Sequence, residues 1–161
     1  MKLRYLFIFL CTGFAVVSCK KPNEVSKIPQ ISLLRFASGD GSDSMLVNID
    51  TVFLNFTITD GDADLGVPQP GPLYDIYIKD MRFGNFQGYY LPEFDKSIED
   101  PKKGIVGNCE FQFGTDLLGP RTDHWHDSMK HDTTFIEFYV VDRAGHESNH
   151  LTTPKVIMYK K

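Results

Sequence analysis

The stretch that decides the fold of this 161-residue chain is Thr51-Val-Phe-Leu-Asn-Phe-Thr-Ile-Thr-Asp-Gly-Asp-Ala-Asp-Leu-Gly66. Val52, Leu54, Phe56 and Ile58 recur at a period of two in its first half, which is the pattern of a β-strand with one buried face. The second half places an aspartate at every second position of a glycine-punctuated turn, at residues 60, 62 and 64. The stretch therefore predicts a strand that ends in a group of carboxylates.

Other segments with strand character lie on both sides of this stretch, separated by turns and loops rich in Gly and Pro. They are Ile31–Ala37, Tyr74–Lys79, Ile105–Phe113, Thr133–Asp142 and Lys155–Tyr159. Thr133–Asp142 has apolar residues on both faces, which predicts a central strand. No helix-period pattern of useful length follows residue 18. We therefore predict an all-β fold, a single antiparallel Ig-like β-sandwich of about seven strands.

The chain begins with the pattern of an export signal. Met1-Lys-Leu-Arg4 is basic and Tyr5–Val17 is apolar, but this run of about 13 residues is shorter than the roughly 20 that a membrane-spanning helix needs. Val16-Val-Ser-Cys19 resembles a bacterial lipobox, in which the cysteine is acylated and becomes the new N-terminus. The alternative is an ordinary secretory signal with an incidental cysteine.

These features predict the organisation and location of the protein. We expect a cleaved signal peptide at residues 1–18, a lipidated Cys19 with a tether to residue 27, and one β-sandwich domain at residues 28–161. The lipid on Cys19 would hold the protein at a membrane. The expected location is the cell envelope, as an outer-membrane lipoprotein on either the periplasmic or the surface face.

Charge and cysteine content narrow the class further. Loss of Lys2 and Arg4 with the signal takes Lys plus Arg from 17 to 15 against 21 Asp plus Glu, a formal net charge of −6. This charge argues against nucleic acid as a partner. Cys109 is the one cysteine left after cleavage and lipidation, so no intramolecular disulfide can form. We expect Cys109 to be a small buried hydrophobe and not a nucleophile.

The acidic turn is the first candidate site. In Ig-like strand order, Thr51–Thr59 and Thr133–Asp142 point the same way, which would bring Asp60, Asp62 and Asp64 towards Asp142, Glu147 and Asn149. Carboxylates at this spacing suit Ca²⁺, which takes six to eight oxygen ligands. The turn is not an EF-hand, since Leu65 and Gly71 stand where that loop needs Gly and Glu. The alternative is a solvated Asx-rich turn without a metal.

A histidine cluster is the competing site. His124 and His126 flank Trp125, and His131 follows, so the three could hold zinc and leave a position for activated water. The alternative is a solvated His-rich loop. The sequence has no Gly-x-Ser-x-Gly elbow and no phosphate-binding glycine loop, and we expect no enzyme.

The chain resembles small lipoproteins of Bacteroidota bacteria at three landmarks. These are the lipobox, the strand that runs into Asp60-Gly-Asp-Ala-Asp-Leu-Gly66, and the late strand that runs into Asp142-Arg-Ala-Gly-His-Glu-Ser-Asn149. The resemblance implies an Ig-like or cadherin-like sandwich on the envelope and implies no reaction. The acidic stretch that such bacteria often place after the lipidated cysteine, to route lipoproteins to the cell surface, is absent, since Lys20-Lys-Pro22 follows Cys19.

Three functions remain open from the sequence. The first is a non-enzymatic, lipid-anchored module that presents loops to an envelope protein or glycan, with Ca²⁺ stabilising the acidic turn. The second is a zinc-dependent hydrolase that uses His124, His126 and His131. The third is a structural spacer without a metal or a partner.

Overall fold

The computed structural model describes residues 25–66, 73–91, 104–118 and 130–160. The predicted signal peptide, Cys19, His124 and His126 lie outside these ranges. The described part contains a 3₁₀ turn, Thr115–Leu118, and ten strands. The strands are β1 (Gln30–Ser38), β2 (Ser44–Leu46), β3 (Thr51–Asp60), β4 (Ile76–Asp80), β5 (Gln87–Tyr89), β6 (Ile105–Gly114), β7 (His131–Thr134), β8 (Ile136–Val140), β9 (Leu151–Thr152) and β10 (Val156–Tyr159). None of the described segments is a helix long and apolar enough to cross a membrane.

The strands form three sheets, and the predicted all-β fold is confirmed. The first sheet has the order β1-β3-β6 and the third has the order β5-β4-β8-β9, with antiparallel neighbours throughout. A smaller sheet places β10 between a parallel β2 and an antiparallel β7. The described part has more strands than the seven or so predicted. Three of them, β2, β5 and β9, have only two or three residues, too few to show a period in the sequence.

The long strands lie close to their predicted positions, but one prediction of continuity was wrong. Thr133–Asp142 is not a single strand, because the chain leaves the small sheet at Thr134 and enters the third sheet at Ile136. The backbone carbonyl of Phe135, between them, accepts a hydrogen bond from the amide of Met81. Thr134, Ile136 and Phe138 are all buried, so the alternation continues through the break. A period of two therefore could not reveal the change of sheet.

The core is built from the inward faces of the first and third sheets, together with Met45, Val156 and Met158 of the small sheet. Val52, Leu54, Phe56 and Ile58 of β3 are at most 1% exposed, and the alternating residues of β4 and β8 are equally buried. The rings of Phe56 and Phe138 lie 5.6 Å apart, centroid to centroid, and join the two sheets. Burying each such side chain contributes about 1.5–3 kcal/mol to folding. Cys109 is half-buried and packs against this core, and burial raises its pKa to about 11, so it lacks the low pKa of a reactive thiol.

Asn149 fastens the first sheet to the segment between β8 and β9. Its side-chain amide donates to the backbone carbonyl of Ile31 at 2.9 Å and accepts from the Ile31 amide at 2.8 Å. This pair of hydrogen bonds copies the pairing of a neighbouring strand at the start of β1. Asn149 therefore has a structural role.

We expect Asn149→Ala to lower the free energy of unfolding by about 1–3 kcal/mol, because two partly buried backbone groups of Ile31 lose their partner. Asn108→Ala is the matched control, since Asn108 is exposed on β6. Urea denaturation of both variants gives the comparison. Equal stabilities would contradict a linking role for Asn149.

Candidate metal site

Two strands deliver carboxylates to the same end of the molecule. Asp60 is the last residue of β3, and Asp142 follows β8 by two residues. Carboxylate oxygens of Asp60, Asp64 and Asp142 all lie within 4.8 Å of one another. Asp60 is fully buried and Asp142 is 1% exposed. We call these three residues the acidic cluster.

The turn after β3 is held in a strained shape that brings Asp64 back towards Asp60. The amide of Asp64 donates to Oδ2 of Asp60 at 3.0 Å. Ala63 has a φ of 60°, in the left-handed region that costs a residue with a Cβ about 1–2 kcal/mol. Ala63 and Leu65 are buried in the core, so the apolar residues between the aspartates anchor the turn.

The segment after β8 is hydrogen-bonded to this turn through Arg143 and Ala144. The Arg143 guanidinium donates to the carbonyls of Leu65 and Gly66, and its backbone amide donates to the Asp64 carbonyl. The Ala144 amide donates to Oδ2 of Asp64 at 3.1 Å. The two loops that carry the acidic cluster are therefore joined by several hydrogen bonds.

The carboxylates of the turn have more acceptor capacity than the described residues satisfy. Oδ1 of Asp60, Asp62 and Asp64 is buried in each case, and no donor among the described residues reaches it. A buried carboxylate oxygen without a donor costs free energy unless it is protonated or bound to a cation. This is the observation that points to a ligand.

The raised pKa values of Asp60 and Asp64 also indicate that these carboxylates lack a compensating positive charge. Burial raises the pKa of Asp60 to about 6, and the charges of Asp64, Asp62 and Asp142 add to the rise, while the Asp64 amide opposes it. The pKa of Asp64 is also raised, chiefly by burial and by the charge of Asp142. Both carboxylates thus resist ionisation in the absence of a cation.

Asp142 has a partner of its own. His146 donates its backbone amide to Oδ1 of Asp142 at 2.7 Å, and its Nδ1 lies 2.8 Å from Oδ2. The hydrogen bond to Asp142 raises the pKa of His146. The imidazole is about half-exposed, so His146 links Asp142 to the protein surface.

The opposite end of the third sheet satisfies buried carboxylates in another way. Arg82 donates from Nε to both oxygens of Asp80, at 3.0 and 3.1 Å, and from Nη1 to Asp132. Its Nη2 also donates to the carbonyl of Leu118. Here a guanidinium supplies both the positive charge and the donors.

The remaining predicted site residues fall in different places. Asp62 lies beside the acidic cluster, 29% exposed, with Oδ2 at 3.8 Å from Nζ of Lys27. The expectation that Glu147 and Asn149 would join was wrong, because Glu147 is exposed and faces His150 and Asn149 bonds Ile31. His131 is exposed on β7 with its ring 5.9 Å from that of Tyr159, whereas His124 and His126 lie outside the described residues.

Sequence reasoning missed three contributors to this end. Arg143 and His146 lie in the Asp142–Asn149 landmark, where nothing in their spacing indicates that one binds the turn and the other pairs with Asp142. His146-Glu-Ser-Asn-His150 has the His-Glu-x-x-His spacing of helical zinc sites, which was also missed, but this segment is not a helix. His146 pairs with Asp142, whereas His150 pairs with Glu137. The contact of Val25–Lys27 with the turn has a weak signal in Gly61, since glycine often marks a close approach of backbones.

The arrangement fits a hard cation. Asp60, Asp64 and Asp142 would bind it through carboxylate oxygens, with Asp62 near enough to add its charge. All these donors are oxygens, which suit Ca²⁺ better than zinc, a metal commonly held by His and Cys. A bound divalent cation would favour the ionised form of all four carboxylates.

In the metal-free protein, we expect stability to fall between about pH 4 and pH 6. The folded pKa of Asp60, about 6, exceeds its ordinary value of 3.8, so the unfolded chain releases this proton first. The contribution of protonated Asp60 to the free energy of unfolding is fully present below the pKa of Asp60 in the unfolded chain. It is lost as pH rises through the pKa of Asp60 in the folded protein. Asp60→Asn keeps an oxygen that accepts from the Asp64 backbone amide, but its side chain cannot ionise. The variant should therefore lack the part of the fall in stability that comes from Asp60.

Thermal unfolding in EDTA across this pH range checks the prediction. The raised pKa of Asp64 also makes stability fall as pH rises in this range, so the difference between wild type and Asp60→Asn is the informative quantity. Parallel pH profiles for the two proteins would contradict the assignment to Asp60.

Comparison with known proteins adds no further assignment. No protein-family model, curated protein or solved structure matches the chain. The candidate site therefore rests on the geometry of the acidic cluster and the chemistry of its oxygens.

Proposed function

We propose that this chain is a lipid-anchored β-sandwich of the cell envelope, a non-enzymatic module stiffened at one end by Ca²⁺. It would present its loops to an envelope protein or a glycan. The buried Oδ1 atoms of Asp60, Asp62 and Asp64, which no described donor reaches, carry the calcium part of the proposal. The anchoring part rests on the lipobox that ends at Cys19 and on the apolar run before it.

An Ig-like sandwich is the architecture we propose for the domain. The ring contact between Phe56 of β3 and Phe138 of β8 supports it, because these strands belong to different sheets that face each other across the core. The shared end of β3 and β8 also supports it, since strands B and F of an Ig-like fold run in the same direction. The third sheet and the first would then be the two layers of the sandwich.

Calcium is favoured over a solvated acidic turn by burial. Exposed aspartates in a turn are hydrated and need no cation, but Asp60 and Asp142 are almost completely removed from solvent. Three carboxylates in such a place repel one another, and the repulsion strengthens as the effective dielectric constant falls. A divalent cation reverses the sign of this interaction.

A structural role for the ion follows from what the ligands connect. Asp60 and Asp64 belong to the turn after β3, and Asp142 belongs to the segment after β8. An ion that binds these two segments together binds the folded state and not the unfolded chain. It therefore raises the free energy of unfolding, by about 2.7 kcal/mol at a Ca²⁺ concentration about 100 times the Kd. The loops of this end would then be presented in one conformation.

Asp64→Asn should change stability in opposite directions with and without the ion. Asparagine keeps an acceptor for the Ala144 amide but removes one negative charge. We therefore expect the variant to melt above wild type in EDTA and below it in saturating Ca²⁺. Ca²⁺ should raise the melting temperature of wild type by about 5–10 °C.

Glu147→Gln is the matched control, because Glu147 lies in the segment after β8 that also contains Asp142 and carries the same charge as Asp64, but its side chain is exposed. It should keep the full response to Ca²⁺. Differential scanning fluorimetry in EDTA, Ca²⁺, Mg²⁺ and Zn²⁺ gives the comparison. A wild-type protein that responds to none of these ions would overturn the calcium proposal, and a response to Zn²⁺ alone would direct attention to the histidines.

A further inference from the structure

The acidic turn also holds the segment that leads to the anchor. The amide of Gly61, directly after β3, donates to the carbonyl of Ser26 at 2.7 Å. Val25–Lys27 lies at the end of the predicted tether, six residues or more after Cys19. We call Val25–Lys27 the strap.

Gly61 is the residue that allows the strap to approach. A Cβ at this position would lie 2.2 Å from the carbonyl oxygen of Val25 and 2.8 Å from that of Ser26. On its other side, Gly104 approaches so closely that a Cβ there would meet Cα of Gly61 at 2.9 Å. The backbone of Gly61 is thus enclosed between the strap and the residue before β6.

The charged contact of the strap contributes less than its backbone. Nζ of Lys27 is 3.8 Å from Oδ2 of Asp62, but the Lys27 side chain is 77% exposed. Exposed pairs of this kind contribute little, so a cation that takes Asp62 away from Lys27 removes only a weak contact. The hydrogen bond and the packing at Gly61 therefore decide where the strap lies.

We propose that the strap belongs to the ion-binding end of the domain, and that Ca²⁺ in the acidic cluster holds it against Gly61. The inference rests on the proposed function. The ion fixes Asp60 and Asp64, which flank Gly61 in the turn, and Gly61 in turn fixes Ser26. Linkage makes the coupling reciprocal, so a docked strap also strengthens ion binding.

The coupling changes how far the domain can move from the membrane. With the strap docked, the connection from Cys19 to Val25 spans at most about 20 Å at about 3.5 Å per residue. With the strap released, the connection extends to the start of β1 at Gln30 and spans at most about 38 Å. Ion binding therefore shortens the reach of the tether by about half.

Cleavage after Lys27 by endoproteinase Lys-C, which needs no calcium, tests the coupling. The full-length protein is extracted from membranes in a non-ionic detergent and digested with EDTA or with Ca²⁺, and the new N-terminus at Ile28 is followed by mass spectrometry. We expect Ca²⁺ to slow this cleavage by about 5-fold or more, the lower end of common coupling strengths. Melting temperatures are measured on the same samples.

Two glycine variants give matched controls. Gly61→Ala displaces the strap, so cleavage after Lys27 should be fast with and without Ca²⁺. The Ca²⁺ concentration that half-saturates the site should rise in this variant, by the same factor by which Ca²⁺ slows cleavage of the wild type. Gly107→Ala should behave like wild type, because no atom of the described residues other than its chain neighbours lies within 4 Å of a Cβ placed there. If Gly61→Ala does not fold, wild type and Gly107→Ala still decide the question.

The outcomes separate the two proposals. A melting temperature that rises with Ca²⁺ while the cleavage rate stays constant would overturn the coupling and leave the ion site standing. Protection after Lys27 in wild type and Gly107→Ala, together with the rise, supports both. No change in melting temperature would overturn the proposed calcium site and the coupling with it.

Discussion

Packing between β3 and β8 is the interaction on which the acidic end depends. The buried faces of these strands meet through Phe56 and Phe138, and both strands run towards the same end. Once they are packed, Asp60 and Asp142 have no route back to solvent, although neither side chain is apolar. The free energy gained by the core therefore opposes the cost of burying carboxylates, and the cluster exists because the core forces its members together.

Buried carboxylates lie at both ends of the third sheet, and they receive different hydrogen-bond donors at each end. At one end, Arg82 supplies five donors in a planar group, and the carboxylates of Asp80 and Asp132 receive most of them. At the other end, the described donors to the turn are backbone amides, which satisfy one oxygen each of Asp60 and Asp64. The guanidinium of Arg143 binds the carbonyls of Leu65 and Gly66 and fixes the shape of the turn. Among the described residues, Asp60 and Asp64 thus receive backbone donors and no guanidinium, an arrangement that the proposed cation would complete.

The sequence predicted the strands well where one face is buried and the strand is long. The alternation in Thr51–Asp60 and Ile105–Gly114 was sufficient, because each strand contributes one face to the core. It could not show the change of sheet at Phe135, where buried positions keep their spacing, or strands of two or three residues such as β9. For the site, the spacing of Asp60, Asp62 and Asp64 indicated a turn of carboxylates, and strand direction indicated Asp142. The hydrogen bonds of Asn149 to β1 and of Arg143 to the acidic turn could not be predicted. Each joins segments about 80 to 120 residues apart, and no local sequence pattern encodes such a contact.

The position of the cluster decides which part of the molecule an ion can influence. Val52 and Leu54 are fully buried in the core, six to eight residues along β3 from Asp60. This part of the core lies away from the acidic cluster. The turn at Asp60–Gly66 is anchored in the core by Ala63 and Leu65, whereas the strap meets this turn through the hydrogen bond between Gly61 and Ser26. Segments with few buried apolar contacts open locally at lower cost than the core. A cation in the acidic cluster, as proposed, would act mainly on that local equilibrium, at the end of the domain where the strap lies.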